Sequence, residues 1–502
     1  MSIQKSVLRK ENKMKFKKIV SMSLAMCCLG AAAACKETSG NYNVKVGAPD
    51  YSEAVGEILL DSWLAPRASE QAMAEYADCG YNVMHLGNDS IMPPTNGGVN
   101  GETLSASTKQ KMNDDLDRYF TLGEKYGVKS ILSMNARNMN QTGYIDFSYM
   151  DSIISPTLEK WKDSDAFYGY MPLDEPRFVD LSITVENTAK GGKRTYQKVI
   201  DWANDDYTYF SSKYPGKKYE IVLLGITNTP QALGQSFEDG WQMFDFYAEN
   251  FAKNLPRSER VISYDAYPFA QDSRTLEIYN RGGFMASLEY GAIKARELGA
   301  ENWTYTQAHN YITNPQQITY QYYTSMAYGV THFVTYCYMG EVWKNLQFLM
   351  SDAGEKTDLW YYYQSANRDI KKMEKTYLQF ARNWVGALKI EGSQRLEGST
   401  AMDKIKYPLD KYDGIKSVTA TQDTLIGIMQ DKNGYDGYMI TNQVIATGNT
   451  HDKVDVTFDG ATKALVYRSG ADEPETVSLE KGLLSLDISS GGAAFVIPYK
   501  EA

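Results

Sequence analysis

Between Glu57 and about Ala381, short apolar runs of strand length alternate with segments whose apolar residues recur every three or four positions. The runs are Ile58–Trp63, Asn82–Leu86, Ser130–Met134, Phe167–Leu173, Tyr219–Ile226, Arg260–Tyr264, Asn302–Thr306 and His332–Tyr336, eight in all. Helical periodicity lies between them, for instance over Lys109–Lys125 and Phe284–Leu298. Gly80 and Gly127 stand just ahead of two of the strands, where a helix stop belongs. Eightfold strand–helix alternation predicts a (β/α)8 TIM barrel. An open doubly wound sheet is the alternative, but no glycine-rich phosphate turn follows the first strand. Trp360–Ala381 reads as one long helix that closes the barrel.

After the helix the texture changes. Thr424–Met429, Asp436–Ile440, Val454–Phe458, Ala464–Tyr467 and Ala493–Ile497 are short strands separated by turn residues such as Asn433-Gly434 and Asp459-Gly460. They predict a small C-terminal all-β sandwich. The expected organisation is a signal at 1–35, a tether at 36–54, the barrel at 55–385 and the sandwich at 386–502.

The first residues read as an address rather than as fold. Met14-Lys15-Phe16-Lys17-Lys18 is basic, Ile19–Ala34 is apolar and small, and Cys35 follows four alanines. This resembles a bacterial lipoprotein signal, which implies lipidation at Cys35 and anchoring in the cell envelope, on the periplasmic or surface side of the outer membrane. An ordinary secretory signal cut near Ala34 is the competing reading. The polar stretch from Lys36 to about Asp50 suits a tether. The formal net charge is −10, and the part beyond the leader carries no basic stretch, so nucleic acid is not an expected partner. With 38 Tyr and 8 Trp the chain is better suited to uncharged ligands that stack on rings, although many of these rings must be core. Beyond the leader only Cys79 and Cys337 remain, read as two separate buried thiols, and the four histidines are scattered. No metal or organic cofactor is implied, and a monomer is the simpler expectation.

Barrel chemistry gathers where strands end at the C-terminal rim. The expected rim residues are Asp61 and Trp63, His85 and Asn88, Asn135 and Arg137, Asp174 and Glu175, Asp265 and Tyr267, Gln307 and His309, then Tyr336 and Tyr338 with Glu341 just beyond. Each has a plain structural reading, such as a capped strand end or a rim ion pair; together they predict a binding rim. The fourth strand is the most informative, because two adjacent carboxylates, Asp174 and Glu175, precede Pro176. Side chains alternate along a strand, so one can face a cleft while its neighbour turns into the wall. The sequence has no Gly-x-Ser-x-Gly elbow, no His-Glu-x-x-His helix and no phosphate loop. Carboxylate chemistry remains, and glycoside cleavage is the reaction that needs a protonated carboxyl group beside an ionised one.

Gly169–Pro176, Tyr264–Phe269, Trp303–Gln307 and Tyr320–Gly329 ahead of Phe333–Tyr336 together resemble the clan A glycoside hydrolases, especially the beta-galactosidase-like branch and its relatives among lipoproteins of gut Bacteroidetes. The resemblance covers the barrel, and the C-terminal part resembles the accessory sandwich of that group. It implies an acid/base glutamate at the end of strand four, a position that Glu175 fills, although Asp174 stands where asparagine is usual. It also implies a nucleophilic glutamate at the end of strand seven, where this chain has Gln307. Asp265 or Glu341 could serve instead, or water or the substrate's own acetamido group could attack with Asp265 as helper, or the barrel could bind sugar without cleaving it. Glu301 is the nearby glutamate, but it precedes strand seven and belongs at the opposite mouth. The expectation is thus a glycoside hydrolase-like protein acting on an oligosaccharide or polysaccharide, with a non-catalytic carbohydrate-binding lipoprotein as the alternative.

Overall fold

The computed structural model describes residues 43–87, 104–133, 147–176, 196–227, 239–272, 274–275, 278–309, 311–339, 348–351, 353–395, 401–445 and 450–502. Eight strands form one all-parallel sheet: β1 (Leu59–Ser62), β2 (Val83–Leu86), β3 (Lys129–Ser133), β4 (Phe167–Asp174), β5 (Lys218–Leu224), β6 (Val261–Asp265), β7 (Glu301–Gln307) and β8 (Val330–Tyr336). The neighbour order is β1-β8-β7-β6-β5-β4-β3-β2, so consecutive strands lie side by side and β1 and β2 are left to meet at a seam. Asn82 closes that seam. Its backbone N–H donates to Leu60 O at 2.9 Å, and its side-chain oxygen accepts from Leu60 N at 2.8 Å. The predicted (β/α)8 barrel is therefore the observed fold.

The helices around it are α1 (Glu70–Asp78), α2 (Ala106–Tyr126), α3 (Phe147–Trp161), α4 (Tyr196–Lys213), α5 (Gly240–Asn250), α6 (Gly282–Leu298), α7 (Pro315–Met326), α8 (Asp358–Lys372) and α9 (Glu374–Ala381). Local chemistry sets their ends. Ser69 caps α1 by accepting from Ala72 N, and Asn314 and Gln317 cap α7 reciprocally with Pro315 at its first position. Gly127 ends α2 at φ 69°, a left-handed position that favours glycine. The long helix expected over Trp360–Ala381 is two helices. Met373 leaves the helical conformation at φ −98°, ψ 2°, and the Glu374 carboxylate just after the break accepts from Ile58 N at the start of β1.

Alternation along the strands separates two cores. Leu59, Val83, Ile131, Met171, Val222, Val261, Trp303, Tyr305 and Val334 pack inside the barrel, and the other strand faces join the helices in the larger outer core. Behind the barrel lie β9 (Trp384–Ile390), β10 (Ile415–Ala420), β11 (Thr424–Gln430), β12 (Asp436–Asn442), β13 (His451–Phe458), β14 (Lys463–Arg468), β15 (Glu475–Ser478), β16 (Leu483–Ser489) and β17 (Ala493–Tyr499). They make a six-stranded sheet, β9-β11-β12-β17-β14-β15, and a three-stranded sheet, β10-β13-β16. Ile426, Ile428, Tyr438 and Ile440 face Val454, Val456, Leu484, Leu486 and Ile488 across the sandwich core. The larger sheet also sits against the barrel helices. Trp384 Nε1 donates to Ala327 O at 3.0 Å, and the Phe380 and Phe495 rings meet edge to face at 5.3 Å. Cys79 and Cys337 are both buried free thiols. Among the described residues, no helix is long and apolar enough to cross a membrane.

Candidate active site at the strand-end rim

β4 carries the residues expected to do chemistry, and its ladder is irregular on both sides. Against β3 the register shifts between Ser130 and Ile131; against β5 it shifts between Tyr170 and Leu173. Pro172 lies in the second irregularity, where its missing N–H cannot serve the ladder. Bulges of this kind re-aim the side chains that follow. Asp174 then pairs in register with Val222, and Glu175 N–H donates to Val222 O at 3.0 Å. Glu175 itself has φ 40°, a left-handed conformation that a residue with a side chain adopts at a cost of about 1–3 kcal/mol. Glu175 is partly accessible, as the proton-donor reading requires.

Asp265 ends β6, which pairs with β5 at Leu224. Its carboxyl is pushed well above the usual carboxylate range. Withdrawal from water is the largest cause; next come the negative charge of Glu175, the hydrogen bond that the protonated form gives Glu175, and the charge of Asp174. Carboxyl groups in such contact cannot all ionise readily, and the proton stays on Asp265. The Tyr267 hydroxyl lies beside Asp265 without completing a well-formed bond. Asp265 Oδ1 and the Tyr267 hydroxyl are both buried atoms left unsatisfied among the described residues.

Aromatic rings wall the pair. The Tyr267, Tyr336 and His309 rings form a triangle with centroid distances of 5.8, 5.2 and 5.3 Å. His309 Nδ1 lies 3.1 Å from Tyr336 O, so that nitrogen carries the hydrogen. Burial holds this imidazole below its ordinary pKa, which leaves Nε2 as an acceptor at neutral pH. Trp63 packs 6.3 Å from Tyr305, a member of the apolar plug inside the barrel, and Trp63, Tyr267 and Tyr336 all rest on that plug.

Two expected rim residues lie one layer deeper. Asp61 and His85 are fully buried. His85 Nδ1 is 2.9 Å from Asp61 Oδ2, and its Nε2 is 3.0 Å from Glu220 Oε2. His332 Nε2 also reaches Asp61 Oδ2 at 3.0 Å, and Ser263 donates to Glu220 Oε1 at 2.6 Å. Burial opposes the charge on His85, but the two carboxylates prevail and raise its pKa to about 10. Asp61 is lowered despite its burial, because both imidazoles favour its charged form. This is a closed ion ladder below the rim. Glu220, Ser263 and His332 were not anticipated as part of it, although each is a polar residue at an inward position of its strand, and that alternation was the available signal.

Gln307 is buried as well. Its Oε1 accepts from Phe269 N at 2.9 Å and its Nε2 donates to Phe269 O at 3.3 Å, so the amide pins the chain that leaves β6. Tyr338 packs away from the rim against Tyr76 and Tyr81, at 4.8 and 5.8 Å. Glu301 sits at the opposite mouth, as its position before β7 required, paired with Lys218 and Arg382 at 3.1 Å each. Cys35, Asn88, Asn135, Arg137 and Glu341 lie outside the described residues. Among the described residues, no three His, Cys, Asp or Glu side chains come together in a way that could hold a metal ion.

No family model and no curated protein matches the chain. Among solved structures, similarity extends to a xylanase of glycoside hydrolase family 30, subfamily 8, from Clostridium acetobutylicum, at 11% identity over 89% of this chain and 97% of that one, with a TM-score of 0.43. An endo-beta-1,4-mannanase from Thermotoga petrophila is similar at 10% identity over 90% and 99%, with a TM-score of 0.38. A Paenibacillus polymyxa xyloglucanase of family 44 is similar at 8% identity over 89% and 97%, with a TM-score of 0.40.

Proposed function

We propose that this protein hydrolyses glycosidic bonds, with Glu175 and Asp265 acting together as the group that holds and delivers the proton. The observation that carries this reading is the meeting of carboxyl groups from the ends of β4 and β6, the two strands that flank β5, with Asp265 held protonated among rings suited to sugar C–H faces. Glu175 is assigned as the acid that meets the leaving oxygen, and Asp265 as the partner that keeps the proton available. A carboxyl held protonated is a poor nucleophile, so Asp265 is not assigned that role. Water or a substrate acetamido group is the attacking species that fits, with Asp174 or Asp265 to orient it.

A second reading, sugar binding without cleavage, is favoured by Gln307, whose amide occupies the expected nucleophile position and is taken up by the Phe269 backbone. Turnover of aryl glycosides and oligosaccharide pools separates the two. Hydrolysis that disappears in Glu175→Gln while sugar binding persists supports catalysis. Activity that survives the substitution removes Glu175 from the mechanism. Affinity without turnover in every pool, weakened by Trp63→Ala or Tyr267→Ala, would establish the binding protein.

We also propose that Cys35 carries a lipid that anchors the mature chain in the bacterial cell envelope, on the motif Leu29–Cys35. Metabolic labelling with a fatty acid should mark the wild type and not Cys35→Ala; equal labelling of both would refute the anchor.

A further inference from the structure

The opposite, N-terminal mouth of the barrel holds a basin of about 1270 Å³, open to solvent. Four cations, Lys129, Arg257, Arg382 and Lys432, and two carboxylates, Glu57 and Glu301, line it. The lining thus carries a formal excess of two positive charges (four less two) in a chain whose net charge is −10.

Both carboxylates are already engaged. Glu57 accepts from Lys129 and from Asn82, each at 2.6 Å. Glu301 accepts from Lys218, Arg382 and Trp303 Nε1, each at 3.1 Å. Both carboxyls are held below their ordinary range by these cations, so they stay ionised and stay paired. Arg257 and Lys432 are exposed, and neither makes an ion pair among the described residues. The Arg257 guanidinium lies over Gly299, the left-handed cap of α6, where a Cβ would come within 2.3 Å of Nε. Tyr168 adds an aromatic surface to the same basin. Its ring stacks 6.5 Å from Trp303, and Lys129 Nζ stands 5.3 Å from its centroid.

We infer that this basin is a second saccharide site, selective for acidic chains that carry carboxylate or sulfate groups. Tyr168, partly exposed and stacked on Trp303 with Lys129 over its ring, adds an aromatic edge to the lining. The guanidinium offers a paired set of donors for a planar or tetrahedral anion, and Lys432 supplies a further charge. Ligand pockets usually measure about 300–1,000 Å³, so a basin of this size takes more than one sugar unit. The site lies at the end of the barrel away from the Glu175–Asp265 pair, so occupancy there does not obstruct the rim. Choosing a saccharide among acidic ligands rests on the proposed glycan function; the charge selectivity does not.

Titration calorimetry of the whole folded protein tests the inference with two acidic probes, an oligogalacturonate and a heparin-derived tetrasaccharide, beside a neutral cello-oligosaccharide of equal length. One or both acidic probes should bind and weaken as salt rises, and the double variant Arg257→Glu, Lys432→Glu should lower that affinity at least about tenfold, equivalent to ~1.4 kcal/mol. The acidic probe that binds identifies carboxylate or sulfate as the preferred group. Lys111→Glu with Lys411→Glu changes the net charge equally at exposed positions outside the basin and should leave binding unchanged. Binding should also survive Glu175→Gln. That separates this site from the rim, since a chain inactive on every glycan could still show it. The inference is overturned if neither acidic probe binds, if the neutral chain binds as well, if the basin and control variants lose affinity equally, or if Glu175→Gln alone abolishes binding.

Discussion

Two clusters of ionisable side chains lie at different depths of one barrel, the deeper on β1, β2, β5 and β8 and the shallower at the ends of β4 and β6, and they handle charge in opposite ways. In the deeper one, carboxyl and imidazole groups alternate in the order Glu220, His85, Asp61, His332, and proximity drives Asp61 and His85 further into their charged forms. At the rim, Asp174, Glu175 and Asp265 share one sign, and proximity drives Asp265 toward its neutral form. Burial opposes charge in both, so the sign of the neighbour decides the outcome. Opposite neighbours make a brace, and like neighbours make a reservoir for a proton. Residue type alone does not separate the two, since both are built from carboxylates among rings.

The division of labour breaks most decisively at Glu175. Glu175→Gln should reduce kcat by about 10²–10⁴-fold, the usual worth of a positioned acid, with the folded structure intact. Steady-state kinetics on the best substrate found, together with an unchanged circular dichroism spectrum, checks both halves. A comparable loss of kcat from a ladder substitution in a fully folded protein would erase the distinction.

The converse test lies in the ladder. His85→Ala leaves Asp61 and Glu220 buried without the cation between them, and removing one member of a buried pair costs about 3–5 kcal/mol. Urea denaturation should show the midpoint falling accordingly. The effect carries a pH signature. The folded-state pKa of His85, about 10, lies above the ordinary imidazole value of 6.5. Its contribution is thus fully present below pH 6.5 and is lost as pH rises through about 10. The gap between wild type and variant should narrow over that window. A gap that does not change with pH would mean that His85 acts by packing alone.

Gln307 gives a smaller effect. Gln307→Glu would place the carboxylate that the clan resemblance expects at this position. It also removes the donor to Phe269 O and sets an acceptor against that carbonyl. Leaving a buried group unsatisfied costs about 1–3 kcal/mol, so thermal unfolding should shift downward and turnover should not rise. Gained activity would show that the amide is a simple loss at a site otherwise ready for a nucleophile.

How much of this was legible beforehand follows from what pattern can and cannot encode. The eight barrel strands were found because each is an apolar run between helices, and every observed strand overlaps its expected run. The sandwich was read less completely. Leu483–Ser489 alternates buried Leu484, Leu486 and Ile488 with exposed neighbours, a strand signal that was present but passed over. Ile415–Ala420 is polar and half exposed, so its sequence barely marks it. At the rim, Glu175 and Asp265 were expected at strand ends, and the structure places them there. The depth of Asp61 and His85 was not, because height inside a barrel depends on register between strands, and the chain does not write that locally. Gln307 was noticed as an anomaly, but its partner is a backbone group, which carries no signature in residue identity.

The finest test of the contrast is Asp265→Asn. In the ladder, removing a charge destabilises; at the rim, the same kind of change relieves repulsion and should stabilise by roughly 0.5–2 kcal/mol at neutral pH while turnover falls. The sign follows from linkage. The folded-state pKa of Asp265 is raised, so the wild-type contribution is fully present below the unfolded carboxyl range near pH 3.9 and is lost as pH rises through the folded value. Asparagine does not titrate. The two proteins should therefore unfold at similar denaturant concentrations near pH 3–4 and diverge in favour of the variant as pH increases. If the variant were instead less stable at neutral pH, with the deficit growing on the alkaline side, Asp265 would belong to the brace, and a proton held on it would have no structural basis.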